Sequence, residues 1–504
     1  MNLASMSRRM LGKLPPRLAA RVYRGARRIS RLRRVMESEY ETMLADAPGA
    51  TIETEIASYA RLPATPRSRD DVLADMTAVA EAEGAGWRAG KASGAVYHGD
   101  ADHIEFLSRV YALQSQSNPL HTDLWPSGMK FEAEVVSMTA AMLGSGNAAE
   151  AGDEIVGTLT SGGTESIIMA MKSYRDRSGI AKPEMVVPDS AHVAFDKAAQ
   201  LLGYRQIRVP VHVDGRADVA AMTDAVGRRT VVVAASAPSF PHGAIDPIPE
   251  LSEMAHERGV GFHTDGCLGG FILPWAERLG YDLPIVDFRC RGVTSMSVDT
   301  HKYGYAPKGT SVVLYRGREL RRHQFHVATE WPGGLYYSPS LAGSRPGGLV
   351  AGAWAAMLSM GEAGYLRATG SILETAAVIR RGVEAIPELT VVGEPLWVIA
   401  FRSDAVNVYE VMAQMATRGW SLNGLHRPPA VHLAVTLRHT QPGVADTFLT
   451  DLGVAVDAAK ASGVTAHTGS APMYGMAATF PARAAVADLL ERYIDRLYEV
   501  QRDE

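Results

Sequence analysis

Lys302 lies in the run Ser297–Gly304 (SVDTHKYG), after a short apolar stretch and directly beside His301. An amine that attacks carbonyl carbon must be partly deprotonated near neutral pH, which burial or a neighbouring cation achieves. His301, if protonated or donating, would do part of that work and could also hold a phosphate oxygen. A lone lysine is far more often a solvated surface charge, so its weight comes from its companions. The first is the run Thr160–Ser166 (TSGGTES), where Gly162 and Gly163 remove side chains at a point of close backbone approach. Thr164 then offers a hydroxyl and N–H groups at the positive end of a helix, a place suited to a phosphate. Read alone, this is equally a tight turn capping an ordinary helix. No Gly-Lys-[Ser/Thr] follows, so it is not a nucleotide loop of the Walker type.

The second companion is Asp265 in VGFHTDGCLGG, at the end of an expected strand and followed by glycines. Ligands of open α/β sheets gather beyond the carboxyl ends of strands. A carboxylate there could pair with a pyridinium nitrogen and keep it protonated. It could also cap a helix or, with His263, form half of a metal pair, although no third ligand is evident. His323 and His326 read better as surface histidines. The third is His192 in VVPDSAHVAFDKAA, after another strand, where a flat imidazole could lie on a ring or simply be buried and hydrogen-bonded. The order is more telling than any part: phosphate turn, stacking histidine, strand-end acid, then His-Lys after a later strand. Together they suit pyridoxal 5′-phosphate (PLP).

The elements that must position these groups alternate along the chain. Helices are expected at Asp70–Glu83, Asp102–Gln116 and Phe131–Met142, with a Gly-rich loop (SGAVYHG) and a turn-rich stretch Pro119–Gly128 between them. A helix Glu165–Arg177 is followed by a strand Glu184–Val187 and a helix from Val193. Strands Gln206–Val211 and Thr230–Ala235, helix Pro249–Arg258, and strands Val260–His263, Ser295–Val298 and Ser311–Tyr315 come next. Short apolar strands alternating with amphipathic helices imply an α/β fold with a mostly parallel sheet covered on both faces. The run Trp331–Gly348 reads as a long functional loop. Helix Ala351–Leu366 then leads into a smaller α/β unit with strands Trp397–Phe401 and His432–Leu437 and helices Val406–Thr417 and Pro481–Val500. The expected division is 1–70, a basic helix and arm; 71–355, the large unit; and 356–504, the small C-terminal unit.

At 504 residues two or three packed units are expected. Fifty-one basic against 55 acidic residues argue against nucleic-acid binding on charge, and two cysteines point to a reducing, cytoplasmic setting. The exception is the N-terminus, where Arg8 to Arg34 carry eleven basic residues and no acid. Residues 8–36 read as a basic amphipathic helix able to lie on an anionic membrane surface, as a solvated arm, or as a helix docked on a partner subunit. No run approaches the roughly 18 apolar residues of a spanning helix.

Several longer segments carry a resemblance: NPLHTDLWPSGMKFEAEVVSMTA, TSGGTES, APSFPHGAIDPI, HTDGCLGGF, SVDTHKYGYAPKGTSVV and WPGGLYYSPSLAGSRPGG. Strongly over Tyr97–Gly348 and weakly elsewhere, the chain resembles the fold-type I PLP-dependent transferase-like enzymes of the group II decarboxylase superfamily. Within them it resembles the bacterial sphingosine-1-phosphate lyases. The resemblance implies that Lys302 carries the cofactor covalently, that Asp265 holds the ring nitrogen and that His192 stacks on the ring. Gly163, Thr164 and His301 would grip the cofactor phosphate, with Gly343 reaching across from a second subunit and Asn118 nearby. Tyr97, His121, Lys308 and Ser344 fall where the family holds the substrate phosphate, and Tyr336 and Tyr337 on the loop from the partner subunit. A homodimer with shared sites, acting on phosphorylated long-chain bases, is implied. Thr122 and Gly266 depart from the family's usual proline and alanine. The rival is an amino-acid α-decarboxylase, for which Arg345 or Arg438 could clamp a carboxylate; a non-catalytic protein of the same fold is the remaining class.

Overall fold

Seven strands form the principal sheet: β1 (Ile155–Thr160), β2 (Glu184–Pro188), β3 (Arg205–Val209), β4 (Thr230–Ser236), β5 (Gly261–Asp265), β6 (Ser295–Val298) and β7 (Ser311–Arg316). They lie in the order β1-β7-β6-β5-β4-β2-β3. β7 runs antiparallel to both neighbours and every other pairing is parallel, so six strands point the same way. Strands β2 and β4 are buried along their whole length, which is why their sequences, EMVVP and TVVVAAS, read as near-continuous apolar runs rather than alternating ones. This is a computed structural model, and it describes residues 56–462 and 483–499 with scattered positions between 25 and 41. The basic stretch 8–36 and the start of the expected helix Pro481–Val500 therefore lie largely outside the described residues, the latter being described from Arg483 to Leu497.

Helices cover both faces. Helix Gly163–Ser178 lays Ile167, Met169, Met171 and Tyr174 against the sheet, and Tyr174 Oη reaches Ser295 Oγ at 2.6 Å across it. Helix Pro126–Met142 opens with proline in its first turn, where the missing N–H costs nothing. It also buries Glu132, whose Oε1 accepts from Leu159 N at 3.0 Å and so ties the helix to β1. Strand β1 is not among the strands expected from the sequence, since its short run IVGTLT leads straight into the glycine turn. The expected strand Gln206–Val211 is shifted to Arg205–Val209.

The expected loop Trp331–Gly348 contains a short strand, β9 (Tyr336–Ser338), paired with β8 (His326–Ala328). Helix Gly347–Glu384 is far longer than the expected Ala351–Leu366, and is two helical stretches meeting at Gly361, whose φ of 51° and ψ of 177° are non-helical. The 355/356 division falls inside this helix. After it, β10 (Thr390–Val391), β11 (Val398–Arg402), β12 (Asn423–His426) and β13 (Pro429–Ala434) form a second, wholly antiparallel sheet in the order β10-β11-β13-β12.

The turn after β5 is packed too tightly for any side chain. A Cβ on Gly269 would overlap the carbonyl oxygen of Ala237, which is backbone and cannot swing aside. Gly269→Ala is expected to cost about 1–3 kcal/mol, seen as a thermal midpoint several degrees lower. An unchanged midpoint would show that this contact does not hold the turn.

Candidate functional site

Because β1, β2, β5 and β6 run the same way, their carboxyl ends share one edge. The segment after β1 carries Gly163 and Thr164; that after β2 carries His192; β5 ends on Asp265; the turn after β6 carries Lys302. All five line one cavity of about 350 Å³, with His301, Asp299, Cys267 and Phe240. Sequence reasoning named the first six of this set and missed the last three.

Asp299 changes the electrostatics. Its side chain is 2% exposed, and its Oδ2 lies 2.8 Å from Lys302 Nζ. Burial alone would favour the neutral amine of Lys302, but the charge of Asp299 and its hydrogen bond to Nζ outweigh it. The ammonium is thus held above the ordinary lysine range. The sequence reading assigned His301 the opposite effect, as a neighbouring cation that deprotonates the lysine. That assignment is corrected: burial pushes the His301 pKa down, so the ring is neutral, and its Nδ1 sits 2.5 Å from Thr310 O. Nδ1 therefore donates to that carbonyl. Nε2 is left as an acceptor, becoming a phosphate donor only on protonation, which a dianion beside it favours. The signal that could have found Asp299 was there: an acid three residues before the lysine, in a turn after a buried strand.

Asp265 is 7% exposed, and its Oδ1 accepts from Cys267 N at 3.1 Å and Ser297 Oγ at 3.2 Å. His192 Nδ1 accepts from Ala194 N at 3.2 Å, so the proton of the neutral ring sits on Nε2. Burial raises the Cys267 thiol well above its usual value and keeps it protonated. His263, the other half of the metal alternative, is buried with Nδ1 2.7 Å from Ser295 Oγ and Nε2 3.2 Å from Ser297 Oγ. No cluster of three or more metal-ligating side chains occurs among the described residues.

A second cavity of about 420 Å³ shares His301 as its wall and is lined by Tyr97 and Lys308. Lys308 Nζ lies 4.4 Å from the Tyr97 ring centroid. Burial and then the nearby Lys302 charge pull the Lys308 pKa down to about 8. Burial pushes the Tyr97 phenol up to about 12, so it remains a donor.

The other expected residues gather elsewhere. Asn118 Oδ1 accepts from the N–H groups of Leu120 and Arg345, each at 3.1 Å. A Cβ on Gly343 would lie 2.6 Å from Tyr336 Oη. His121, Ser344 and Tyr337 are exposed. Within a single chain none of these six lines either cavity. The loop is tied down from behind: Arg345 pairs with Glu132 at 2.8 Å, and Leu341 N donates to Glu165 Oε1 at 2.9 Å. Glu165 Oε2 in turn accepts from Ser161 N and Oγ, at 2.7 and 2.6 Å, in the glycine turn. This Ser-x-x-x-Glu pattern was readable from the sequence and was not read.

The residues fit PLP. A Cβ on Gly163 would stand 2.7 Å from both Asp299 Oδ1 and Cys267 Sγ, so only glycine leaves the cradle open there. A helix N-terminus, a strand-end carboxylate and a buried amine face the same space.

The pyridoxal-dependent decarboxylase conserved domain matches residues 57–403. A sphingosine-1-phosphate lyase of Arabidopsis thaliana is 50% identical over 417 residues, covering 81% of this chain and 76% of the relative. The solved sphingosine-1-phosphate lyase of Burkholderia pseudomallei is 45% identical with a TM-score of 0.80, over 81% of this chain and 95% of that one. A Lactobacillus brevis glutamate decarboxylase, 17% identical with a TM-score of 0.68 over 83% and 99%, shares the fold. The chain therefore belongs to the sphingosine-1-phosphate lyase family, within the PLP-dependent enzymes of fold type I.

Proposed function

We propose that this chain cleaves phosphorylated long-chain amino alcohols between C2 and C3, giving a fatty aldehyde and phosphoethanolamine. The observation that carries this reading is the pair of adjoining cavities, one with the Lys302 and Asp265 constellation, the other with a cation and a phenol. When bound, PLP accepts the electron pair of a bond broken next to the substrate nitrogen. Lys302 is the residue that attaches it. Asp265 would keep a proton on the ring nitrogen, and His192, its Nδ1 fixed by Ala194 N, would stack on the ring. Gly163, Thr164 and His301 hold the cofactor phosphate. Lys308 and Tyr97 hold the substrate phosphate by charge-assisted hydrogen bonding, and His121 and Ser344 join them from a second copy of the chain.

The homodimer with shared sites is supported by the loop itself. Trp331, Leu335, Tyr337 and Leu341 are exposed on it while its base is anchored by buried carboxylates. Asn118, Gly343, Tyr336 and Tyr337 are assigned to that shared site with it. Two free cysteines favour a reducing, cytoplasmic setting, and none of the helices searched is long and apolar enough to cross a membrane. Peripheral membrane contact through residues 8–36 belongs to the same proposal; if liposome binding survives deletion of residues 1–40, that part is wrong.

The rival α-decarboxylase loses its clamp. Arg345 is consumed by Glu132, and Arg438 by the carbonyls of Gly99 and Arg88 and by Gln441. The deciding assay supplies a phosphorylated long-chain base and looks for aldehyde and phosphoethanolamine. Carbon dioxide from amino acids without aldehyde would decide for the rival. Lys302→Ala is expected to lose the yellow absorbance and at least about 10³-fold in turnover; turnover near wild type would refute the assignment.

Lys308 gives a pH signature. Its ammonium is present below about pH 8 and lost above it, so kcat/KM for the phosphorylated substrate should fall as pH rises through that value. In Lys308→Arg, which stays charged, the fall should move to higher pH. A profile identical in the two proteins would remove Lys308 from the phosphate site.

A further inference from the structure

We propose that Asp299 is a positioning residue that captures Lys302 as an ammonium when substrate displaces it, and holds it as the proton donor to C2. The proposal rests on the reading that Lys302 carries the cofactor. Asp299 opens the turn after β6, three residues before Lys302, and buries its carboxylate 2.8 Å from Nζ. The titratable groups facing that amine come from several elements. Asp299 and His301 are on its own turn, Cys267 follows β5, Tyr97 precedes helix Ala101–Gln114, and Lys308 lies beyond the turn. His301 is neutral, burial keeps Cys267 and Tyr97 protonated, and Lys308 is a cation. Asp299 is thus the anion among them. Asp265 lines the same cavity, but its Oδ1 accepts from Cys267 N and Ser297 Oγ.

The proton balance then closes. The substrate arrives as an ammonium. As its nitrogen replaces Nζ on the cofactor carbon, one C–N bond forms, the other breaks, and the proton of the substrate nitrogen ends on Lys302. Asp299 stabilises that charge next to itself. Cleavage sends the C3 hydroxyl proton to a different base and leaves an electron pair at C2, stored in the cofactor. Lys302 gives its proton to C2 and becomes the neutral amine that must displace the product. The departing phosphoethanolamine nitrogen takes up the proton the base had received. While Asp299 keeps it charged, Lys302 has no free lone pair to take the C3 proton, and it already carries the proton that C2 must receive.

The test is a pH titration of the holoenzyme's cofactor absorbance in wild type, Asp299→Asn and Asp299→Glu. Attachment of the cofactor at Lys302 is checked in each by hydride trapping. The asparagine variant should titrate at least about one pH unit lower, and the glutamate variant close to wild type. An unmoved midpoint in Asp299→Asn overturns the proposal. A second measurement needs no variant: wild-type turnover in D2O should place deuterium on one face of the carbon that becomes the aminomethyl group of phosphoethanolamine. A random distribution there overturns Lys302 as the donor. Trapping at a lysine other than 302 would sink the underlying reading as well, and is told apart because it appears before any titration.

Discussion

Everything in the site depends on six strands pointing the same way. Gly163, His192, Asp265 and Lys302 are separated by up to 139 positions and meet only because the carboxyl ends of β1, β2, β5 and β6 share an edge. Reading across the sheet, the phosphate turn stands at one side, the lysine turn next beyond β7, then the strand-end acid, then the histidine beyond β4. β7, the one reversed strand, contributes no side chain among these; it separates β1 from β6 and so sets the distance between phosphate and amine.

The charge pattern follows from burial. One carboxylate and one ammonium are locked together at the floor of the first cavity, and a second lysine, depressed to about 8, stands across the His301 wall. In the second cavity Lys308 is the cation, and it favours an anionic group over a neutral one there. His301 lines both spaces, and burial keeps its ring neutral.

The parts legible in the sequence were those with local signatures: the glycine turn, the strand-end acid, the His-Lys pair and the mostly parallel sheet. Asp299 was not legible as a partner of Lys302, because an acid in a turn declares its burial only once β5, β6 and the N-terminal segment pack around it. His301 was read with the wrong sign for a similar reason. Which nitrogen of an imidazole is engaged depends on a carbonyl nine residues away, at Thr310. Asn118, His121 and the Tyr336–Ser344 group came from resemblance, and a single chain does not bring them to Lys302. Boundaries drifted most where glycine or proline interrupts an element, as at Gly361.

Glu165 touches two things at once, the serine of the glycine turn and the backbone of the exposed loop at Leu341. With Glu132 holding Arg345 from the helix below, the loop has no independent hinge at that end. Side chains in the outer half of the loop, Trp331 to Leu335, are exposed and outside these ties. A change near Leu341 is instead passed through the one carboxylate of Glu165 to Ser161 and the glycine turn, so the two segments cannot be reshaped independently there.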